Sequence, residues 1–178
     1  MNRFKIPLLI IVCLVAITLV VSVFSPLSSL GEVKERWEVT GNAFRLRVIK
    51  YAERSFRLVG GAYYVFEIAA AGSGRWTEIM TVRHDDPDPI PREQVRIVND
   101  QVGYVFMLSK YAATMDAGAT WFIWDAEKDF PDWQSNPVII KEVRLAPDGT
   151  GIMTLTSVAS RQVRELHTKD YGRHWNIE

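Results

Sequence analysis

Cysteine is almost missing from this sequence: among 178 residues there is one, Cys13. Everything beyond residue 31 therefore has no disulfide, no thiolate nucleophile and no cysteine metal ligand. A domain built there is held by its core alone, and about 145 residues are enough to make one. Net charge is also missing. Lys and Arg number 21, Asp and Glu number 21, so no overall field draws in nucleic acid, which is excluded as a partner. Acid is absent from the first 31 residues, whose only charges are Arg3 and Lys5. With 48% hydrophobic and 24% charged residues, the composition is that of a folded rather than a disordered chain.

Charge of either sign is absent from residues 6–24, "IPLLIIVCLVAITLVVSVF". A helix needs about 20 such residues to cross a bilayer. A secretory signal has a shorter apolar core and a small-residue cleavage site, and Ser29-Leu30-Gly31 is a poor one. Ile10, Ile11 and Val12 are too bulky before Cys13 for lipoprotein processing. The expectation is an uncleaved anchor, with a removed signal as the alternative. Arg3 and Lys5 stay in the cytoplasm by the positive-inside rule. The chain then divides into a cytoplasmic N-terminus (1–5), a transmembrane helix (6–24), a tether "SPLSSLGEVKER" (25–36) and an extracytoplasmic domain (37–178). That is a single-pass protein of a bacterial inner (cytoplasmic) membrane, with its C-terminal domain periplasmic or extracellular.

Helical periodicity is lacking in that domain. Its segments are short, rich in Val, Ile, Tyr, Phe and Thr, and punctuated by turn residues. In "AFRLRVI" (43–49), Phe44, Leu46 and Val48 alternate with Arg45 and Arg47, as in a strand with one wet face. Segments 62–70, 103–109 and 151–157 read as inner strands. Segments 75–82, 138–145 and 161–168 also fit strands. About twelve strands are expected, an all-β domain. Gly61, Gly103 and Gly151 each open an apolar strand that is followed by a hairpin and a tryptophan: Trp76, Trp121 and Trp175. The Trp spacings, 45 and 54, are close to the roughly 40–50 residues of a four-stranded propeller blade.

One turn occurs twice. "TMDAGATW" (114–121) is echoed by "TKDYGRHW" (168–175). Asp116 and Asp170 are placed to accept bonds from N–H groups of their own turn. Gly118 and Gly172 permit a positive φ. Thr120 is placed to bond back across the turn, and Trp121 and Trp175 to bury a ring beneath the hairpin. These residues resemble the BNR or Asp-box repeat family, whose pattern is Ser/Thr-x-Asp-x-Gly-x-Thr/Ser-Trp. Thr114, Asp116, Gly118, Thr120 and Trp121 match throughout. Thr168, Asp170, Gly172 and Trp175 match as well, but His174 stands where a hydroxyl would make the cross-turn bond. "AAGSGRW" around Trp76 keeps the glycines and Trp without an Asp. The resemblance covers roughly residues 58–178. It implies about three four-stranded antiparallel propeller-like units: a partial propeller, a small sandwich or barrel, or several chains completing a ring. In that family the box is a rim element shared by sialidases, sorting receptors and a photosystem assembly factor, so it indicates fold rather than activity.

Catalytic candidates are few. A sialidase needs an arginine cluster, an acid–base Asp and a Tyr/Glu pair drawn from several blades, and this chain is about half the expected size. His167, His174 and Asp170 lie near Ser157 and Ser160 without a nucleophile elbow. "HDDPDPIP" (84–91) gathers His84, Asp85, Asp86 and Asp88, but reads as a proline-stiffened loop rather than a metal site. No catalytic residue, metal or cofactor is expected. Arg45, Arg47, Lys50, Arg54 and Arg57 read as a solvated strand face, or as a patch for acidic headgroups or an acidic partner. In "WFIWDAEKDFPDW" (121–133), Trp124, Phe130 and Trp133 stand among Asp125, Glu127, Lys128, Asp129 and Asp132. Large rings in so charged a segment are expected to project as a partner-binding site. The functional expectation is a non-catalytic protein-binding module near the membrane, an assembly or stability factor, with self-association through exposed strand edges. The alternatives are a cell-surface glycan-binding module and an immunity protein against an extracytoplasmic toxin.

Overall fold

The computed structural model describes residues 30–54, 60–86, 88–90, 92–130 and 137–177. The expected span at 6–24 lies outside them. Among the described residues no helix is long and apolar enough to cross a membrane.

The chain forms three four-stranded antiparallel meanders in sequence order. Sheet one contains β1 (Leu30–Thr40), β2 (Phe44–Glu53), β3 (Ala62–Ala70) and β4 (Thr77–His84). Sheet two contains β5 (Val95–Ile97), β6 (Gly103–Met107), β7 (Lys110–Thr114) and β8 (Phe122–Asp125). Sheet three contains β9 (Val138–Leu145), β10 (Gly151–Ser157), β11 (Val163–Thr168) and β12 (Asn176–Ile177). A single helical turn, α1 (Ala126–Asp129), follows β8. No sheet closes into a barrel. Leu30 to Arg36, expected in the tether, are the first part of β1: Leu30 pairs with Glu53 and Val33 with Tyr51. Charges on one face of an edge strand, here Glu32, Lys34 and Arg36, resemble a solvated linker in sequence.

Sheet two lies between the other two. Its strands alternate, and both alternations are apolar. Val105, Met107 and Ala112 join Phe44, Leu46, Val48, Tyr64 and Phe66 of sheet one in one core. Tyr104, Phe106, Tyr111 and Ala113 join Val138, Ile140, Val143, Met153, Leu155 and Leu166 of sheet three in a second. Every residue of β6 is buried, as a strand covered on both faces requires. In sheet one Arg45 and Arg47 point away from sheet two, as their alternation with Phe44 and Leu46 indicates.

Each tryptophan of the expected repeat stands directly before the fourth strand of its sheet: Trp76 before β4, Trp121 before β8, Trp175 before β12. The glycines are less regular. Gly103 and Gly151 open the second strands of their sheets, whereas Gly61 precedes the third strand of sheet one. The glycine phase is therefore off by one strand in the first unit. An apolar strand after glycine reads the same at either place.

Candidate functional site

The two turns that resemble Asp-boxes, 114–121 and 168–175, each carry a dense set of polar bonds. In the first, the buried Thr114 hydroxyl is the hub. Its Oγ1 accepts from Gly118 N at 2.9 Å and donates to Asp116 Oδ1 at 2.8 Å. Asp116 Oδ1 also accepts from Thr120 N at 2.8 Å, and its Oδ2 accepts from Thr120 Oγ1 at 2.6 Å. These bonds, the Thr120 hydroxyl's first and its backbone N–H next, hold the Asp116 carboxyl down from the ordinary 3.8 to about 2. Ala117 and Gly118 both take positive φ, 55° and 89°.

The second box repeats this arrangement. Thr168 Oγ1 accepts from Gly172 N at 3.0 Å and donates to Asp170 Oδ1 at 2.8 Å. The missing hydroxyl is replaced: His174 N donates to Asp170 Oδ1 at 3.0 Å, and His174 Nδ1 lies 2.5 Å from Oδ2. Burial opposes ionisation of Asp170. The bonds from the His174 ring, its backbone and Thr168 outweigh that and keep the carboxyl below its ordinary value. The sequence reading gave the first-position threonines no bond of their own. Their burial, 1% exposed for Thr114 and 3% for Thr168, marks them as the centres of the turns.

Each box also joins sheets. Ala117 N donates to Gln101 O, and Tyr171 N to Gly149 O, both at 2.9 Å, tying the turn to the first hairpin of its own sheet. In sheet one Ala71 N makes the same bond to Ala43 O at 2.8 Å, without an Asp. A Cβ on Gly118 would stand 1.8 Å from Cδ1 of Ile68, on the third strand of sheet one. A Cβ on Gly172 would stand 2.5 Å from Oη of Tyr111, on the third strand of sheet two. Tyr111 Oη donates to Tyr171 O at 3.1 Å. Each glycine is thus required twice, by its φ and by the closeness of the preceding sheet. Trp121 packs on the first core, and Trp175 on the second, edge-on to Tyr111 at 5.7 Å.

The aromatic segment is arranged differently from expectation. Trp124 is buried, 9% exposed, within the second core. It pairs with Tyr111 in the β7–β8 ladder. Strand alternation turns Trp124 inward and leaves Ile123 outward at 52% exposure. Asp125 then caps α1, accepting from Glu127 N at 3.3 Å and from Ser109 Oγ at 2.9 Å. The turn brings Asp129 back to accept the Trp124 indole N–H. Phe130 is half-buried, edge-on to Trp124 at 6.3 Å, with the Arg164 guanidinium 5.6 Å from its ring. Trp124 is therefore a core residue, not a projecting contact residue, and Phe130 supports it. Trp133 lies outside the described residues. The charges of this segment mark the helical turn that folds over the ring.

The other candidates are also engaged. Arg45 pairs with Glu38 at 3.1 Å and Arg47 with Glu67 at 2.5 Å, and both guanidiniums lie over the Trp76 ring, at 4.9 and 3.9 Å. Lys50 donates to Asp88 O at 2.7 Å. Arg45 and Arg47 are thus neutralised by carboxylates and Lys50 is held by a backbone carbonyl, while Arg54 is exposed and Arg57 lies outside the described residues. The described residues of the 84–91 segment have partners: Tyr64 Oη donates to Asp88 O at 2.5 Å, Ile90 N donates to Glu35 Oε2 at 3.1 Å, and Arg83 pairs with Asp85 at 2.5 Å. Among the described residues no group of three His, Cys, Asp or Glu is placed to hold a metal. His174 and Asp170 bond each other within the second box, whereas His167 faces Glu165 at 3.1 Å and Ser157 Oγ accepts from Ser160 N.

What remains open among the described residues is the outward face of sheet three, in three cross-strand rows. Ile139, Thr156 and Val163 form the first, Glu142, Thr154 and Glu165 the second, Arg144, Ile152 and His167 the third. Val163 is 64% and Ile152 37% exposed. The sequence showed strands there, but not which alternate set would lack a covering sheet. No family model, curated protein or solved structure matches this chain.

Proposed function

We propose that this chain is a non-catalytic β module, anchored in the membrane by residues 6–24, that docks a protein partner outside the cytoplasm. On this reading the three meanders are blades of an open, partial propeller, and the two boxes are its rim turns. The reading is carried by the outward face of sheet three. In sheet one the pairs Leu46–Ile68 and Val48–Phe66 face sheet two. In sheet two the matching pairs Tyr104–Ala113 and Phe106–Tyr111 face sheet three. In sheet three the same places hold Ile152–His167 and Thr154–Glu165. A further blade, from this chain or a second copy, would have to bury His167 and Glu165 at the places where Ile68 and Tyr111 receive a box glycine, and buried charge without good partners is costly. The face suits a different partner. Ile139, Ile152 and Val163 supply apolar contact, and the Glu142–Arg144 and Glu165–His167 pairs supply a polar rim, the usual anatomy of a non-obligate interface.

A glycan reading finds less support. Among the described rings on which a sugar would stack, Trp76 is covered by two guanidiniums and Trp124 by the core.

The test is site-specific photocrosslinking in cells. A photoreactive residue at Thr154 or Thr156 should capture one membrane-associated protein reproducibly. The same residue at Lys128 should not, and Val163→Arg should abolish the capture without altering the fold. Identical captures at all three positions, or capture indifferent to Val163→Arg, would overturn this assignment.

A further inference from the structure

Beside that face, and sharing Glu142, Arg144 and Thr154 with it, a cleft of about 590 Å³ opens where β5 and β6 meet the edge strand β9. Its size falls within the roughly 300–1,000 Å³ of small-molecule sites. The floor is apolar, formed by Tyr104, Phe106 and Leu145. Tyr104 is buried and its hydroxyl is already used, donating to Val143 O at 2.8 Å. The walls carry charge. Arg96 is the cross-strand partner of Tyr104 and so faces the cleft from β5. Lys141 enters from β9 by way of a bulge: Thr154 pairs with Glu142 and Leu155 with Ile140, which leaves Lys141 out of the ladder. A bulge re-aims a side chain, and bulges gather beside binding sites.

The charges do not cancel. Glu142 and Arg144 neutralise each other through two bonds, 2.6 and 2.9 Å. Arg96 and Lys141 have no hydrogen-bond or ion-pair partner among the described residues. Only Glu93 opposes them on the lining. The cleft thus has one more free cation than free carboxylate, above an apolar floor.

We propose that this cleft binds a small organic acid, a single carboxylate carried on an apolar body. The carboxylate lies between Arg96 and Lys141, and the body rests against Tyr104, Phe106 and Leu145. A dianion such as phosphate suits it less, because Glu93 repels the second charge and phosphate has nothing to set against the floor.

The test uses the full chain in detergent and three probes followed by NMR titration: benzoate, the neutral isostere benzamide, and inorganic phosphate. Benzoate should bind saturably with Kd on the order of 1 mM. Benzamide and phosphate should bind about threefold more weakly, the scale on which an exposed charge pair acts. Arg96→Gln and Lys141→Gln should each weaken benzoate by a similar factor, and Lys128→Gln should not. Lys141→Glu, which leaves the core alone, should abolish binding. No saturation by benzoate, equal binding of benzamide or phosphate, or indifference to the Arg96 and Lys141 variants would each overturn the proposal.

Discussion

At Thr114 a single buried hydroxyl closes a turn by accepting from Asp116 N and Gly118 N and donating to Asp116 Oδ1. Thr114→Val keeps the shape and leaves Gly118 N without its acceptor. The expected loss is about 1–3 kcal/mol, measured by urea unfolding, and Thr168→Val should behave alike. Asp116 adds a pH dependence. Its carboxyl is held at about 2 in the fold against an ordinary 3.8. A depressed folded value means that the stabilisation is fully present above the unfolded value, near pH 4, and is lost as the pH falls toward 2. Asp116→Asn should lower Tm at neutral pH and flatten the Tm profile between those limits. An unchanged acid limb would contradict the bonding described. The motif was legible because its roles are local: Asp, Gly and the seventh-position Thr act within eight residues. The first-position Thr was not, because its part depends on burial that the neighbouring sheet supplies.

Within elements, alternation decided what composition could not. The segment 121–133 looked exposed because its charges are dense. Period 2 in β8 nevertheless places Trp124 beside Tyr111, and Asp125 stops the strand and starts α1. Trp124→Ala should cost about 3–5 kcal/mol, as for other buried large-to-small changes, whereas Ile123→Ser should stay within about 0.5 kcal/mol. Thermal melts of the two variants would check this; equal Tm values would place Trp124 back on the surface. The longer strands, β2, β3, β4, β6, β9, β10 and β11, were readable for the same reason, since β-branched and aromatic residues at period 2 mark a strand wherever it packs, whereas β5, β7, β8 and β12, of two to five residues, are too short to show a period in sequence. The start of β1 was not readable either, since the strand's own charges hide its pairing with β2.

Across the whole molecule, the boxes couple one sheet to the next. Gly72 and Gly118 both have positive φ, 74° and 89°, but a Cβ on Gly72 meets nothing within 4 Å while one on Gly118 meets Ile68. Gly72→Ala should therefore cost about 1 kcal/mol, the left-handed penalty alone. Gly118→Ala should cost about 3 kcal/mol or more, because Ile68 or the whole turn has to move. Chemical denaturation of the pair separates conformation from packing, and equal losses would remove the inter-sheet role.

That packing has a direction. The turn on sheet two rests on a strand of sheet one, and the turn on sheet three rests on a strand of sheet two. Nothing among the described residues rests on Glu165. Support therefore passes along the chain from its N-terminal sheet, and the last sheet lends none. A structure supported from one side opens from the other. Amide protons of β11 should exchange first, those of β7 later and those of β3 last, so that loosening travels backwards along the chain toward the end nearest the apolar run.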